Sequence, residues 1–223
     1  MAIQLALDLG LRPAVGRDDF LVTDSNSEAV AIVDQWPNWP SYGAVIIGPA
    51  GSGKSHLATV WQQRTNAVIV NAKDLRIEDL PHLLRHKALV VEDLDQGALP
   101  ERALFHALNM IMQQSGTVLV TTKVLPQFTI KDLASRISAL PTGQIKTADD
   151  TLLRGVLVKL FGDRQIAIDE ALISFLLTRM PRSLESARSL VALIDQQALE
   201  QGAEVTRVFV GRVLAQIENP ELF

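Results

Sequence analysis

The sequence predicts an α/β fold: a five-stranded parallel sheet flanked by helices, then a small C-terminal all-helical lid domain. Three observations predict it. Short β-branched runs without internal alternation recur at 44–47, 67–70, 88–91 and 117–121, as strands buried on both faces require. Helix-like stretches at 54–64, 78–86 and 100–114 separate them. After Thr147 the pattern is purely helical, with apolar residues at helical spacing in 149–161, 169–179, 183–200 and 206–217.

The elements follow in order. Met1, Ile3, Leu5, Leu7, Leu9 and Leu11 occupy alternate positions, so an extended chain would place them on one face. Residues 18–27 are largely polar. Within them Ser25-Asn26-Ser27-Glu28 has the spacing of a capping box, opening a helix through about Trp36 that Pro37 and Pro40 end. The fifth strand is expected at 143–146. The resulting division is an extended N-terminal peptide (1–12), an α/β nucleotide-binding domain (13–147) and the helical domain (148–223).

Composition narrows the function classes. The chain has 223 residues, 48% of them apolar, enough for a full core. No run approaches the roughly 18 apolar residues of a membrane span, and Asp8 with no basic leader argues against a secretion signal. The absence of cysteine excludes disulfides and thiolate metal sites and fits a reducing, cytoplasmic setting. A net charge of −4 offers nucleic acid no global attraction, although a local basic patch stays open. His82 and His86, with Glu78 one turn earlier, could form a metal face, but a solvated helix explains them more simply.

Gly48-Pro49-Ala50-Gly51-Ser52-Gly53-Lys54-Ser55 fits G-x-x-x-x-G-K-[ST]. Such a loop turns tightly on its glycines, so that backbone N–H groups and the next helix's N-terminus face phosphate oxygens. Lys54 would reach the β- and γ-phosphates and the Ser55 hydroxyl would ligate Mg²⁺. A β-branched run precedes the motif and a helical one follows it, as the motif requires. Downstream, the apolar run 88–91 ends in Glu92-Asp93. P-loop enzymes commonly set Asp on the Mg²⁺ shell and orient the attacking nucleophile with a second group. Here the longer acid comes first, so Glu92 would serve the metal and Asp93 the water. Both have unsuited reach, and slow intrinsic hydrolysis is expected.

Several strings together resemble the AAA+ family of P-loop NTPases, and within it the DnaA/Hda group. Gly53-Lys54-Ser55-His56-Leu57 resembles that group's GKTHL, which adds His56 to the nucleotide-binding set. Residues 117–122 resemble the strand leading to sensor 1, with Thr121 or Thr122 as its polar tip. Asp132-Leu133-Ala134-Ser135-Arg136 resembles the segment ending in the arginine finger. Arg182-Ser183-Leu184-Glu185 resembles the sensor 2 motif, whose arginine reaches the phosphates. Phe20-Leu21-Val22 stands where the family's adenine pocket begins.

The resemblance implies ADP or ATP with Mg²⁺ as cofactors, and Glu92, Asp93 and Arg136 as the catalytic set. The chain ends shortly after its last helix, where DnaA would continue into a DNA-binding domain, so no direct sequence-specific DNA binding is expected. Gln4-Leu5-Ala6-Leu7-Asp8-Leu9 resembles the peptide by which replication factors grip the sliding clamp (beta subunit) of DNA polymerase. Leu5, Leu7 and Leu9 would enter an apolar groove while Gln4 bonds at its rim. A first strand on the chain's own core is the alternative for that string. The implied function is regulation of replication initiation, by promoting hydrolysis of DnaA-bound ATP. The implied partners are the clamp, DnaA and a further copy of the chain, with no membrane. A DnaA-like or helicase-loader-like ATPase acting on DNA is the alternative.

Overall fold

The computed structural model describes residues 21–218, so Gln4, Leu5, Leu7, Leu9 and Phe20 lie outside it. The described chain divides into two compact units, one running to Thr147 and the other starting at Ala148.

The first unit holds β1 (Gly43–Ile47), β2 (Val68–Asn71), β3 (Ala88–Glu92), β4 (Thr117–Thr122) and β5 (Thr142–Gln144) in one sheet of order β2-β3-β4-β1-β5. Every neighbouring pair is parallel. Around it stand α1 (Ser27–Gln35), α2 (Lys54–Thr65), α3 (Leu80–Leu83), α4 (Glu101–Gln113) and α5 (Lys131–Ser138). Alternate residues of each central strand feed opposite cores. Val45, Leu89, Val91, Val118 and Val120 pack with Leu104, Leu108, Leu133 and Ile137 of α4 and α5. Ala44, Ile46, Val90 and Leu119 pack with Ala29, Val33, Leu57 and Trp61 of α1 and α2. That two-sided burial is why these strands read as unbroken apolar runs. Trp39 stacks on Trp61 with centroids 5.4 Å apart and donates its Nε1 hydrogen to the Ile32 carbonyl.

Three local expectations are corrected. The helix expected over 78–86 is only the single turn α3. Leu80, Leu83 and Leu84 imitate a helical stripe, but they tuck a short turn under the sheet. The capping box at Ser25 does not form, because Asn26 occupies the cap and its side chain turns backward. Its Oδ1 accepts from Thr23 N–H and its Nδ2 donates to the Leu21 carbonyl, each at 2.9 Å. The helix α5 was not among the elements expected from periodicity. The fifth strand pairs as a shorter segment, and a Cβ on Gly143 would lie 2.6 Å from the α1 backbone, so only glycine admits this packing.

The second unit comprises α6 (Asp150–Gly162), α7 (Glu170–Leu177), α8 (Leu184–Gln201) and α9 (Arg207–Glu218). Asp149, Asp169 and Ser183 cap the first three, each side-chain oxygen accepting an N–H of the first turn. Leu157, Phe161, Leu176, Val191, Ile194, Val210 and Val213 fill its core. Among the described residues no helix is long and apolar enough to cross a membrane.

Candidate functional site: a phosphate cradle at the carboxyl ends of the strands

The sheet order puts the carboxyl ends of β3, β4 and β1 side by side, where open parallel sheets bind ligands. All three ends carry site residues. The loop after β1 is tied to β4 by the Gly48 N–H, which donates to the Thr122 carbonyl at 3.1 Å. A Cβ on Gly48 would meet Ile145 and Ser52 Oγ at 2.9 Å, so the chain must pass there without a side chain. Gly51 and Gly53 take φ of 65° and 100°, the left-handed region that favours glycine. Gly53 then caps α2, leaving Lys54 and Ser55 as its first residues and His56, half-buried, as its third. Pro49 and Ala50 form the exposed tip.

Lys54 is buried, and its Nζ donates to the carbonyls of Gly48 at 2.8 Å and Pro49 at 2.9 Å. Burial lowers the pKa of this ammonium, while Asp93 and then Asp95 pull it back upward, Lys123 lowers it and Glu92 raises it. The cradle's cation therefore faces three carboxylates. Ser52 Oγ is buried without a hydrogen-bond partner, and Ser55 is exposed.

Glu92 ends β3 with its Oε1 buried and unpartnered. Asp93 follows at φ 55°, leaving the strand in a left-handed turn. That turn lets its N–H donate to Thr121 Oγ1 at 3.3 Å, while its Oδ2 accepts from Asn71 Nδ2 at 3.4 Å. Thr121 and Thr122 are both fully buried. Thr122 Oγ1 lies 3.0 Å from Asp95 Oδ1 and 2.6 Å from the Val124 carbonyl. The Lys123 N–H donates to the same Asp95 oxygen at 2.8 Å. Burial tends to raise the Asp95 pKa, but the bonds from Lys123 and Thr122 outweigh it and leave the carboxyl below its ordinary value.

Asn71 and Asp95 were missed by the sequence reading. The register sets Asn71 beside Glu92, a pairing visible only once β2 and β3 are aligned. Asp95 did carry a signal, as the third acid of Glu92-Asp93-Leu94-Asp95.

The groups present fit a magnesium nucleotide. A glycine-only passage, an ammonium held by main-chain carbonyls and an unpartnered buried hydroxyl lie in the Gly48–Ser55 loop, and an unpartnered carboxylate oxygen ends β3 in the same sheet. Among the described residues no three acids or histidines can hold a metal by themselves. The loop from Gly48 to Ser55 and Lys54 would hold the phosphates, and Ser55 with Glu92 the metal.

The other expected residues stand as follows. Leu21 and Val22 are exposed, held by Asn26 in a segment whose Ser25 carbonyl accepts from Lys146 N–H at 2.7 Å. Lys146 follows Ile145, the residue against Gly48, so this segment lies near the cradle. Arg136 lies in α5, its Nη1 donating to Asn109 Oδ1 of α4 at 2.7 Å and its Nη2 pairing with Asp132 at 3.3 Å. Its guanidinium also covers the Phe105 ring at 4.9 Å. Arg182 belongs to the second unit and pairs with Asp150 at 2.9 Å, both exposed.

No family model matches the sequence, and no curated protein matches it. Solved structures do. Domain III of the replication initiation protein DnaA from Thermotoga maritima is similar with a TM-score of 0.75 at 16% identity, over 92% of this chain and 97% of that one. The Thermotoga maritima RuvB Holliday junction branch migration motor gives 0.70 at 15%, over 90% and 71%. AMPPCP-bound DnaA from Aquifex aeolicus gives 0.64 at 15%, over 96% and 84%. At such identities the likeness is one of fold: a five-stranded parallel sheet flanked by helices and followed by a helical unit, shared with the DnaA domain III and RuvB structures.

Proposed function

We propose that this chain is an adenine-nucleotide-binding regulator of replication initiation, acting as an Hda-type protein. It docks on the sliding clamp of DNA polymerase through residues 4–9 and promotes hydrolysis of ATP held by DnaA. The observation that carries this reading is a complete phosphate cradle combined with acids of unsuited reach. Nucleotide is bound, and its turnover in this chain is slow. The AMPPCP-bound DnaA of the same fold supports adenine as the base.

Each residue then has a task. The Gly48–Ser55 backbone and Lys54 hold the phosphates, and the short bonds from Lys54 to Gly48 and Pro49 keep its ammonium in the crevice. Bound Mg²⁺ supplies positive charge against the phosphate oxygens, held by Ser55 and Glu92. Arg182, paired with Asp150 within the helical unit, is assigned to the phosphates by the sensor 2 resemblance of Arg182-Ser183-Leu184-Glu185. Arg136, on the outer helix α5, serves a nucleotide held by another AAA+ module.

The test is a clamp pull-down with Gln4→Ala/Leu7→Ala beside wild type, followed by phosphate release from ATP-bound DnaA on clamp-loaded DNA. The double variant should lose both capture and stimulation at an unchanged melting temperature. A melting-temperature drop, with no capture by either protein, would return residues 1–12 to the core. A second reading, a DnaA-like or helicase-loader-like ATPase, is favoured by the bonds that order Asp93 and Asp95 through Asn71 and Thr122. Rapid phosphate release by the isolated chain would select it.

A further inference from the structure

The strand β2 is an edge of the sheet, with β3 on one side and no strand on the other. Among the described residues, the main chain from Val68 to Asn71 makes no main-chain hydrogen bond outside its pairing with β3. Its four residues are each half-buried, whereas β3 and β4 are mostly buried. The two faces of this edge differ. Val68 and Val70 extend the apolar core that α4 and α5 cover, and Ile69 faces the side of α1 and α2. On that second side an open cleft of about 700 Å³ lies beside the start of the strand. Gln62, Gln63 and Asn66 at the end of α2, Arg85 and His86 before β3, and Ile69 line it.

The segments that build the cleft carry one sign of charge. Residues 54–73 and 80–91 contain no acid. Arg64, in the last turn of α2, is already held by Asp34 at 3.7 Å and by the Val33 and Trp36 carbonyls. Arg85 and Lys87 are different. Both are exposed, and among the described residues no carboxylate lies within ion-pair distance of either. Arg85 Nε donates to His86 Nε2 at 3.0 Å, which keeps the guanidinium at the cleft wall. The dipole of α2 would itself favour a cation at its carboxyl end. That end is closed internally, because Thr65 Oγ1 donates to the Trp61 carbonyl at 3.0 Å and the Asn66 N–H to that of Gln62 at 2.8 Å. The full charges of Arg85 and Lys87 therefore set the sign, in a chain whose net charge is −4.

We infer that the free edge of β2 is a docking site for an extended acidic peptide of another protein, added to the sheet as a sixth strand. The complement of a row of unpaired strand N–H and C=O groups is another extended main chain. Alternate side chains of such a strand point to opposite faces. One set enters the cleft, where the Arg85 guanidinium and the Gln62 and Gln63 amides suit a carboxylate. The other set lies beside Val68 and Val70, which suits an apolar side chain. The recognised pattern is therefore acidic and apolar in alternation. A second copy of this chain would present Val68-Ile69-Val70-Asn71 at the same edge, with no acid to meet Arg85, so the charge favours a different protein. The cleft lies at the amino ends of β2 and β3, away from the phosphate cradle at the carboxyl ends. It stands or falls without the clamp, DnaA or the nucleotide.

The test is a titration of the isotopically labelled full chain with a peptide of five Glu-Val repeats, followed through the backbone amide resonances. Shifts are expected at residues 68–71 and 85–88 and not at the cradle, 48–55, with binding that weakens as salt rises. A peptide of five Glu-Pro repeats keeps the charge but lacks the strand donors at its prolines. One of five Lys-Val repeats keeps the strand and reverses the charge. Neither should move these amides. Arg85→Glu/Lys87→Glu should bind the Glu-Val peptide about tenfold more weakly, as two reversed surface charges can give. The same variant should now bind the Lys-Val peptide, a gain that no folding defect can imitate. The inference is overturned if the Glu-Val peptide moves none of these amides. It is equally overturned if the Glu-Pro peptide moves them as far, which would reduce the site to charge attraction. Shifts at 68–71 on concentrating the chain alone, with sedimentation as a dimer, would assign the edge to a second copy and overturn the peptide.

Discussion

Arg136 Nη1 stands 2.7 Å from Asn109 Oδ1, so the residue proposed to act on another molecule is held against its own chain. Asp132 and the Phe105 ring complete the hold. The side chain is about a quarter exposed, which makes the cage shallow. Arg136→Ala should leave nucleotide affinity unchanged and remove stimulated phosphate release from ATP-bound DnaA. Arg136→Lys should not restore it, because a point charge lacks the planar donors. Asn109→Ala removes one hydrogen bond, costs about 0.5–1.5 kcal/mol, and should keep stimulation at or above the wild-type level. If Asn109→Ala loses as much as Arg136→Ala, the seam between α4 and α5 is what matters and Arg136 is structural.

Lys54→Ala should abolish nucleotide binding in calorimetry, since no other cation is buried in the loop. A pH signature accompanies this. Burial lowers the Lys54 pKa in the free protein, and phosphate oxygens would raise it in the complex. Binding therefore takes up a proton in the window between the two values. Affinity should fall as pH rises above the free-protein value. Titrations in alkaline buffers of different ionisation enthalpy read that uptake directly. Proton release, or none at any pH, contradicts the placement of Lys54 at the phosphates.

Legibility in the sequence depended on how local each cause was. The cradle was readable because Gly51 and Gly53 answer to the loop's own left-handed turns, and Gly48 to the close approach of Ser52 within the loop as well as to Ile145 outside it. The strands β1, β3 and β4 were readable because two-sided burial leaves no polar interruption. The short α3 was misread because Leu80, Leu83 and Leu84 repeat at helical spacing for a reason belonging to the sheet above them. Ser25 lost the cap because Asn26 found better partners in Leu21 and Thr23. Asn71 meets Asp93, and Thr122 meets Asp95, only through strand register, which no local pattern encodes.

Glu92 and Asp93 give a prediction by exchange. Glu92→Asp combined with Asp93→Glu restores the usual order of reach and should raise phosphate release by the isolated chain. The structure adds a cost. Position 93 has φ 55°, which Asp tolerates better than Glu, so the double variant should also melt lower. Wild-type turnover on the order of the 1–100 s⁻¹ of kinases would show that the natural order is no handicap.

Glu101 links acid stability to the position of Arg136. Its carboxylate accepts the Thr129 N–H at 2.9 and 3.0 Å, the Thr129 hydroxyl at 2.9 Å and the Ile130 N–H at 2.8 Å. The bond from the Thr129 N–H leads, against some desolvation, in lowering its pKa below the ordinary glutamate value. A depressed carboxyl contributes stability that is fully present above its unfolded-state pKa and is lost as pH falls through the folded value. Glu101→Gln keeps one acceptor oxygen and removes the charge. The stability gap between wild type and this variant, from urea melts across the acid range, should be widest near neutrality. It should close as Glu101 is protonated. The helix α5 begins at Lys131, directly after the two residues Glu101 holds, so the same variant should loosen where Arg136 stands. Stimulated phosphate release should therefore fall in Glu101→Gln while nucleotide affinity stays at the wild-type level. A gap that does not change with pH would mean the carboxylate charge plays no part in fixing this loop.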